Sequence, residues 1–168
     1  DLPVFSLQFC PDTIFQMSSP GPVNSIYRRE LIVENGILFS DMPNSEDLLF
    51  SYCAMAAAES IAYSTEKFYM YRVNQTTNVE SGKAKAPLCF IEAFLALAEF
   101  LKEKDLYDTC IKSFGLRFCG SIIHAISTID SQSARDAICD RLCEDDVLRL
   151  RVLEQSDGFY GNNREVRQ

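Results

Sequence analysis

Two adjacent carboxylates, Glu46 and Asp47, are followed at once by the apolar run Leu48-Leu49-Phe50 and preceded by Asn44, whose side chain can accept from the amide of Asp47. This spacing puts both acids in the first turn of a helix, directly after a loop. An ionised aspartate there can accept a proton from a hydroxyl, because its carboxylate needs no prior activation at pH 7. Acids in a first helical turn are equally ordinary capping chemistry, so spacing alone gives the pair no role. Arg28 and Arg29 form one pair of adjacent positive charges, suited to a small anionic ligand. The single histidine, His124, lies on an apolar-periodic helix and is expected to be packed or half-buried. The seven cysteines lack the paired spacings of a zinc site, and the expected metal-ligand set is empty. Most of them fall beside Ile, Leu and Phe and read as small packed hydrophobes in a reducing, cytoplasmic setting.

The elements that must position these residues divide into a mixed first part and a helical second part. Phe5, Leu7 and Phe9 alternate with polar residues, which predicts a short strand. A helix is expected over 26–34, capped by Asn24 or Ser25 and stopped by Asn35-Gly36. A brief extended piece at 37–39 follows, then the helix opened by Asn44 and running to about Glu59. Strands are expected at 61–63 and 67–73, with a polar loop over 74–82. From there the period becomes helical. One helix spans 86–104 with Pro87 at its first position and Glu92, Glu99 and Glu103 as a narrow polar stripe. A second spans 106–128 with Ile111, Phe114, Phe118, Ile122, Ala125 and Ile129 on one face, and it should pack on the first. Ala134, Ile138 and Leu142 continue the pattern. A last helix is expected over 147–154, after the solvated acids Glu144, Asp145 and Asp146. The fold class is α+β with helix dominant, divided as 1–83, 84–155 and a frayed tail over 156–168.

Composition narrows the function classes. With 47% hydrophobic and 24% charged residues, 168 residues can build one globular core. A net charge of -8 offers no electrostatic footprint for a phosphate backbone, which argues against nucleic acid as a partner. The longest apolar stretch, 89–101, is broken by Glu92 and Glu99 and is too short to span a membrane. The chain opens on Asp1 without a signal-peptide pattern or an initiator methionine, so it is expected to begin inside a longer gene product.

Three segments occur in a set order: Val23-Asn24-Ser25-Ile26-Tyr27-Arg28-Arg29-Glu30-Leu31, then Glu34-Asn35-Gly36-Ile37-Leu38-Phe39, then Glu46-Asp47-Leu48-Leu49-Phe50. A fourth, Phe68-Tyr69-Met70-Tyr71-Arg72, follows. Over about 23–78 this ordered set resembles the acceptor-side half of family 2 glycosyltransferases, which have the GT-A fold. Val23 stands where the family often has Trp, Ser25 where it has Lys, and Lys67 where it has Pro.

The resemblance implies an inverting, non-processive enzyme that moves a sugar from a nucleotide sugar to a glycan or lipid-linked acceptor in cell-surface glycan synthesis. Asp47 takes the position of the catalytic base, and Glu46 supports it. Arg28, Arg29, Tyr69, Tyr71 and Arg72 become candidate substrate contacts, with Tyr27 a further aromatic that could stack on a sugar, although strand aromatics more often fill a core. The family's Asp-x-Asp, which holds a divalent Mg or Mn on the departing diphosphate, is absent from this sequence. The resemblance thus implies an upstream donor-binding half that carries the metal, and a fragment inactive by itself. It places the enzyme in the cytoplasm, with peripheral association at the inner membrane face left open. The alternative is a non-catalytic module in which the helices after about Ala84 dock another chain.

Overall fold

The computed structural model describes residues 4–70, 86–152 and 155. Helix dominates. The described strands, β1 (Val4–Phe5) and β2 (Ile61–Ala62), pair antiparallel with Val4 opposite Ala62 and Phe5 opposite Ile61. The helices are α1 (Arg29–Glu34), α2 (Glu46–Ala57), α3 (Cys89–Glu103), α4 (Tyr107–Thr128), α5 (Gln132–Leu142) and α6 (Asp145–Leu148). Two short 3-10 turns, Ile14–Gln16 and Pro22–Asn24, precede α1.

The strand expected through Phe9 stops at Phe5. Ser6 accepts from the amides of Phe9 and Cys10, which folds the chain into a turn that buries Leu7 and leaves Phe9 exposed. The helix expected from Ile26 begins only at Arg29, and neither Asn24 nor Ser25 caps it. Its stop signal behaves as expected. Gly36 is left-handed (φ 62°), its amide reaches the Val33 carbonyl at 3.2 Å, and the Ile37 amide reaches Ile32 at 3.0 Å. That pair of bonds satisfies two orphan carbonyls and requires a residue that tolerates positive φ. Gly36→Ala should therefore cost about 1 kcal/mol, read as a fall of about 2–4 °C in Tm.

Helix α2 is buried almost all round, with Leu48, Phe50, Ser51, Tyr52, Cys53, Ala54, Met55 and Ala56 inside. It lies against α3 and against the Ile14–Gln16 turn. The expected polar stripe on α3 holds: Glu92, Glu99 and Glu103 are exposed, whereas Ile91, Phe94, Leu97 and Leu101 are buried. Pro87 lies ahead of the helix, which starts at Cys89 with Leu88 as its cap. Phe114, Phe118, Ile122 and Ala125 form the buried face of α4, which packs on α3 as expected. A polar clamp docks the Ile14–Gln16 turn on α4. Ser113 Oγ accepts from the Phe15 amide at 2.8 Å and donates to Gln16 Oε1 at 2.7 Å, while Arg117 donates to the carbonyls of Phe15 and Ser18.

Residues 67–70 form no strand, and 71–73, the 74–82 loop and the tail after 155 lie outside the described residues. The last helix is shorter and earlier than expected, with Asp145 and Asp146 inside it. Glu144, Asp145 and Asp146 are exposed, as expected of a solvated helix start, and two of them also meet a cation. Arg141 donates to Asp146 (2.7 and 2.8 Å), to Glu144 (3.1 Å) and across to Glu92 on α3 (2.9 Å). The hydrogen bonds from Arg141 hold the Asp146 carboxyl at about 2, below its ordinary value of 3.8. A carboxyl depressed on folding stabilises above its unfolded pKa, and that contribution is lost as pH falls through the folded pKa. Asp146→Asn should therefore flatten the stability profile between pH 4 and 2, measured as the urea midpoint against pH.

Candidate functional site

Glu46 and Asp47 occupy the first turn of α2 as expected, both half-buried. The route into that turn differs from the expectation. Ser45, not Asn44, is the capping position, and it makes no side-chain cap bond. Asn44 is instead buried, donating to the Ala86 carbonyl at 3.1 Å and accepting from Ser45 Oγ at 2.9 Å. The loop is thus tied to the entry of α3. Ser45 holds a left-handed backbone (φ 66°), a conformation costly for a residue with a Cβ. The turn carrying the carboxylates is fixed by that tie rather than by a local cap.

The rings of three separate segments meet beside this turn. Phe50, one helical turn after Glu46, is stacked on Phe39 with centroids 4.1 Å apart and planes 4° from parallel. Tyr27 meets the same Phe50 ring edge-on at 5.3 Å. Tyr27 is therefore a half-buried packing residue, and it carries the backbone of Arg28 and Arg29 to the neighbourhood of α2. Arg28 caps α1 and Arg29 begins it; both side chains are exposed, and neither forms an ion pair among the described residues. Around them Val23, Ile26, Val33 and Leu38 are also exposed, Ile26 completely.

Tyr69 is exposed, between the exposed Phe68 and Met70, and makes no hydrogen bond or ring contact among the described residues. It is not brought to Asp47, and it fills no core. Tyr71 and Arg72 lie outside the described residues, as does the Asn74-Gln75-Thr76 segment. His124 is exposed on α4, which corrects the expectation of a packed or half-buried ring. The thiols are free, and burial pushes Cys53 and Cys110 up to about 12 and raises Cys119, so these three stay protonated and unreactive. Cys139 and Cys143 are exposed.

One residue that spacing did not single out lies five positions after Asp47 on the same helix. Tyr52, fully buried on α2, is raised to about 12 by burial, with Arg117 lowering it and the Asp47 charge raising it further. Its apolar surroundings read as core in the sequence, so nothing marked its hydroxyl. Elsewhere, an open depression of about 450 Å³ is lined by Lys102, Asp105, Tyr107, Asp108, Arg149 and Arg151. It contains none of the candidate residues. Arg151 pairs with Asp108 at 2.8 Å, and Tyr107 donates to the Leu150 carbonyl, which ties the end of α6 to α4.

Among the described residues no three His, Cys, Asp or Glu side chains gather as a metal site. No helix there is long and apolar enough to cross a membrane. Neither family models, nor curated proteins, nor solved structures give a match to this chain.

Proposed function

We propose that this chain is the acceptor-side part of an inverting, non-processive glycosyltransferase of the GT-A type, with Asp47 as its base. The observation that carries the reading is the ring cluster of Tyr27, Phe39 and Phe50. Those three residues belong to the three ordered segments that resemble family 2 enzymes, and they converge beside the turn that holds Glu46 and Asp47.

In this reading the acceptor hydroxyl gives its proton to the Asp47 carboxylate as its oxygen attacks the anomeric carbon of a nucleotide sugar. The bond to the nucleoside diphosphate breaks, and the configuration at that carbon inverts. The helix start favours the ionised carboxylate, which makes it ready to accept a proton although a weaker base. Position therefore matters more than basicity. Glu46 orients the site, and the exposed Arg28 and Arg29 suit the diphosphate or an anionic acceptor. The resemblance also makes Tyr69, Tyr71 and Arg72 candidate acceptor contacts, with Tyr69 exposed and apart from Asp47. In such an enzyme a divalent Mg or Mn on the departing diphosphate would be held by the donor-binding half, since this sequence has no Asp-x-Asp. The exposed Ile26, Leu38 and Phe68 are the kind of apolar surface that a donor-binding half would cover.

The upstream coding sequence tests this reading. It should encode about 100 further residues, the size of a small domain, with a Val/Ile-rich strand and an Asp-x-Asp. An upstream region without either sinks the proposal.

A further inference from the structure

We propose that the depression between the end of α3, the start of α4 and the chain after α6 binds a small phosphate ester, with Lys102, Arg149 and Arg151 receiving the phosphate group. None of its lining residues lies within 23–72, and nothing in it depends on the role of Asp47.

The chain has a net charge of -8, yet this lining holds three cations against two carboxylates, Asp105 and Asp108. Its volume of about 450 Å³ suits a small molecule. Two of the cations are already held in place. Arg151 donates to Asp108 at 2.8 Å, which leaves its other N–H donors for a ligand. Lys102 is paired with Glu99 at 2.7 Å, and its Nζ lies 5.5 Å from the centre of the Tyr107 ring. Arg149 is exposed and forms no ion pair among the described residues. Two guanidinium groups and an ammonium in one lining match phosphate oxygens, arginine as a fork of donors and lysine as a point charge. Asp105, which also forms no ion pair among the described residues, accepts from hydroxyls and repels phosphate oxygens. That favours an ester carrying hydroxyls over inorganic phosphate.

The backbone supplies a second observation. Asp105 and Arg151 are both left-handed, each at φ 56°. Each stands where a helix has just stopped. The Asp105 amide reaches the Lys102 carbonyl at 3.0 Å after α3, and the Arg151 amide reaches the Leu148 carbonyl at 3.0 Å after α6. Glycine suits such a position best, and α1 uses it at Gly36. Aspartate tolerates the angle better than most residues, whereas arginine does not. At these two helix ends a charged side chain replaces the glycine at a cost to stability, and both side chains line the same depression. Leu150 and Val152 are buried on either side of Arg151, so its backbone is fixed by the core and cannot relax. Strain held in this way by its surroundings gathers at functional sites.

The test titrates the full chain with ribose 5-phosphate at physiological salt and follows the arginine Nε–Hε resonances by nitrogen-15 NMR. Those of Arg149 and Arg151 should move saturably, and ribose alone should leave them still. Arg151→Gly should weaken binding about tenfold, the loss of one charge-assisted partner. Its melting temperature should hold or rise, because glycine relieves the left-handed angle. Weaker binding in a chain that is no less stable separates a ligand contact from a structural one. If Arg151→Gly does not fold, Arg149→Ala, at an exposed side chain, should show the same loss of affinity. Movement without saturation, or equal affinity in the variants, overturns the proposal. Inorganic phosphate should bind more weakly than ribose 5-phosphate, and equal binding of the two overturns the assignment of an ester.

Discussion

Asp47→Asn in the full-length protein should, on the proposed reading, lower sugar transfer by about 10² to 10⁴-fold, the contribution of one positioned base. Asparagine keeps the shape and much of the hydrogen-bonding capacity of the side chain but cannot accept the acceptor's proton. The loss should fall on kcat and kcat/KM together, because the interaction removed develops only as the oxygen attacks. Stability should hardly change. The half-buried side chain loses its favourable charge at a helix start, an effect of about 0.3–1 kcal/mol, too small to unfold a domain of this size. A thermal melt alongside the assay separates the two effects. Glu46→Gln, beside it in the same turn, should cost less, since an orienting group can be replaced in part by its amide. Transfer retained by a well-folded Asp47→Asn enzyme would take Asp47 out of the mechanism and favour a docking role for the helices.

The parts of the fold that were legible are those in which one physical rule acts alone. The periodic helices α3, α4 and α5 announce themselves because each buries one face, and Phe94, Phe114, Phe118 and Ile138 are inside as their spacing requires. Gly36 stops α1 because few residues tolerate its backbone angle. Local signals mislead where a distant contact wins. Asn44 has the side chain of a helix cap, but its amide reaches Ala86, 42 positions away, and the cap passes to Ser45. The alternation of Phe5, Leu7 and Phe9 is cut short by a turn that Ser6 closes. The acids at 144–146 are exposed as expected, but nothing in their spacing showed that Arg141 joins Glu144 and Asp146 to Glu92 on α3. At the candidate site the sequence supplied Asp47 and its helix. It could not supply the solitude of the buried Tyr52 hydroxyl, because a tyrosine within an apolar stretch reads as core.

Phe94→Ala should destabilise the chain by about 3–5 kcal/mol, the range for removing a fully buried phenyl ring and leaving a cavity. Phe94 has no exposed surface and joins α3 to α4 through two ring contacts, edge-on to Phe114 at 5.5 Å and tilted against Phe118 at 5.1 Å. Phe114 passes the contact on to Tyr107 at 5.3 Å, whose hydroxyl holds the Leu150 carbonyl. Each lost aromatic pair adds about 0.5–1.5 kcal/mol to simple area burial, which pushes the expected cost to the upper end of that range. Domains of this kind have only about 5–15 kcal/mol in total, so the variant should lose a large share of its folded population on warming. Phe68→Ala is the matched comparison, the same deletion at a ring that is 82% exposed. It should move the urea midpoint by no more than about 0.5 kcal/mol equivalent. The contrast also bears on function. A Phe68→Ala chain that folds normally but binds or supports a donor-binding half poorly would assign that exposed ring to an interface, whereas Phe94→Ala would lose activity only by unfolding α3, against which the helix carrying Asp47 packs.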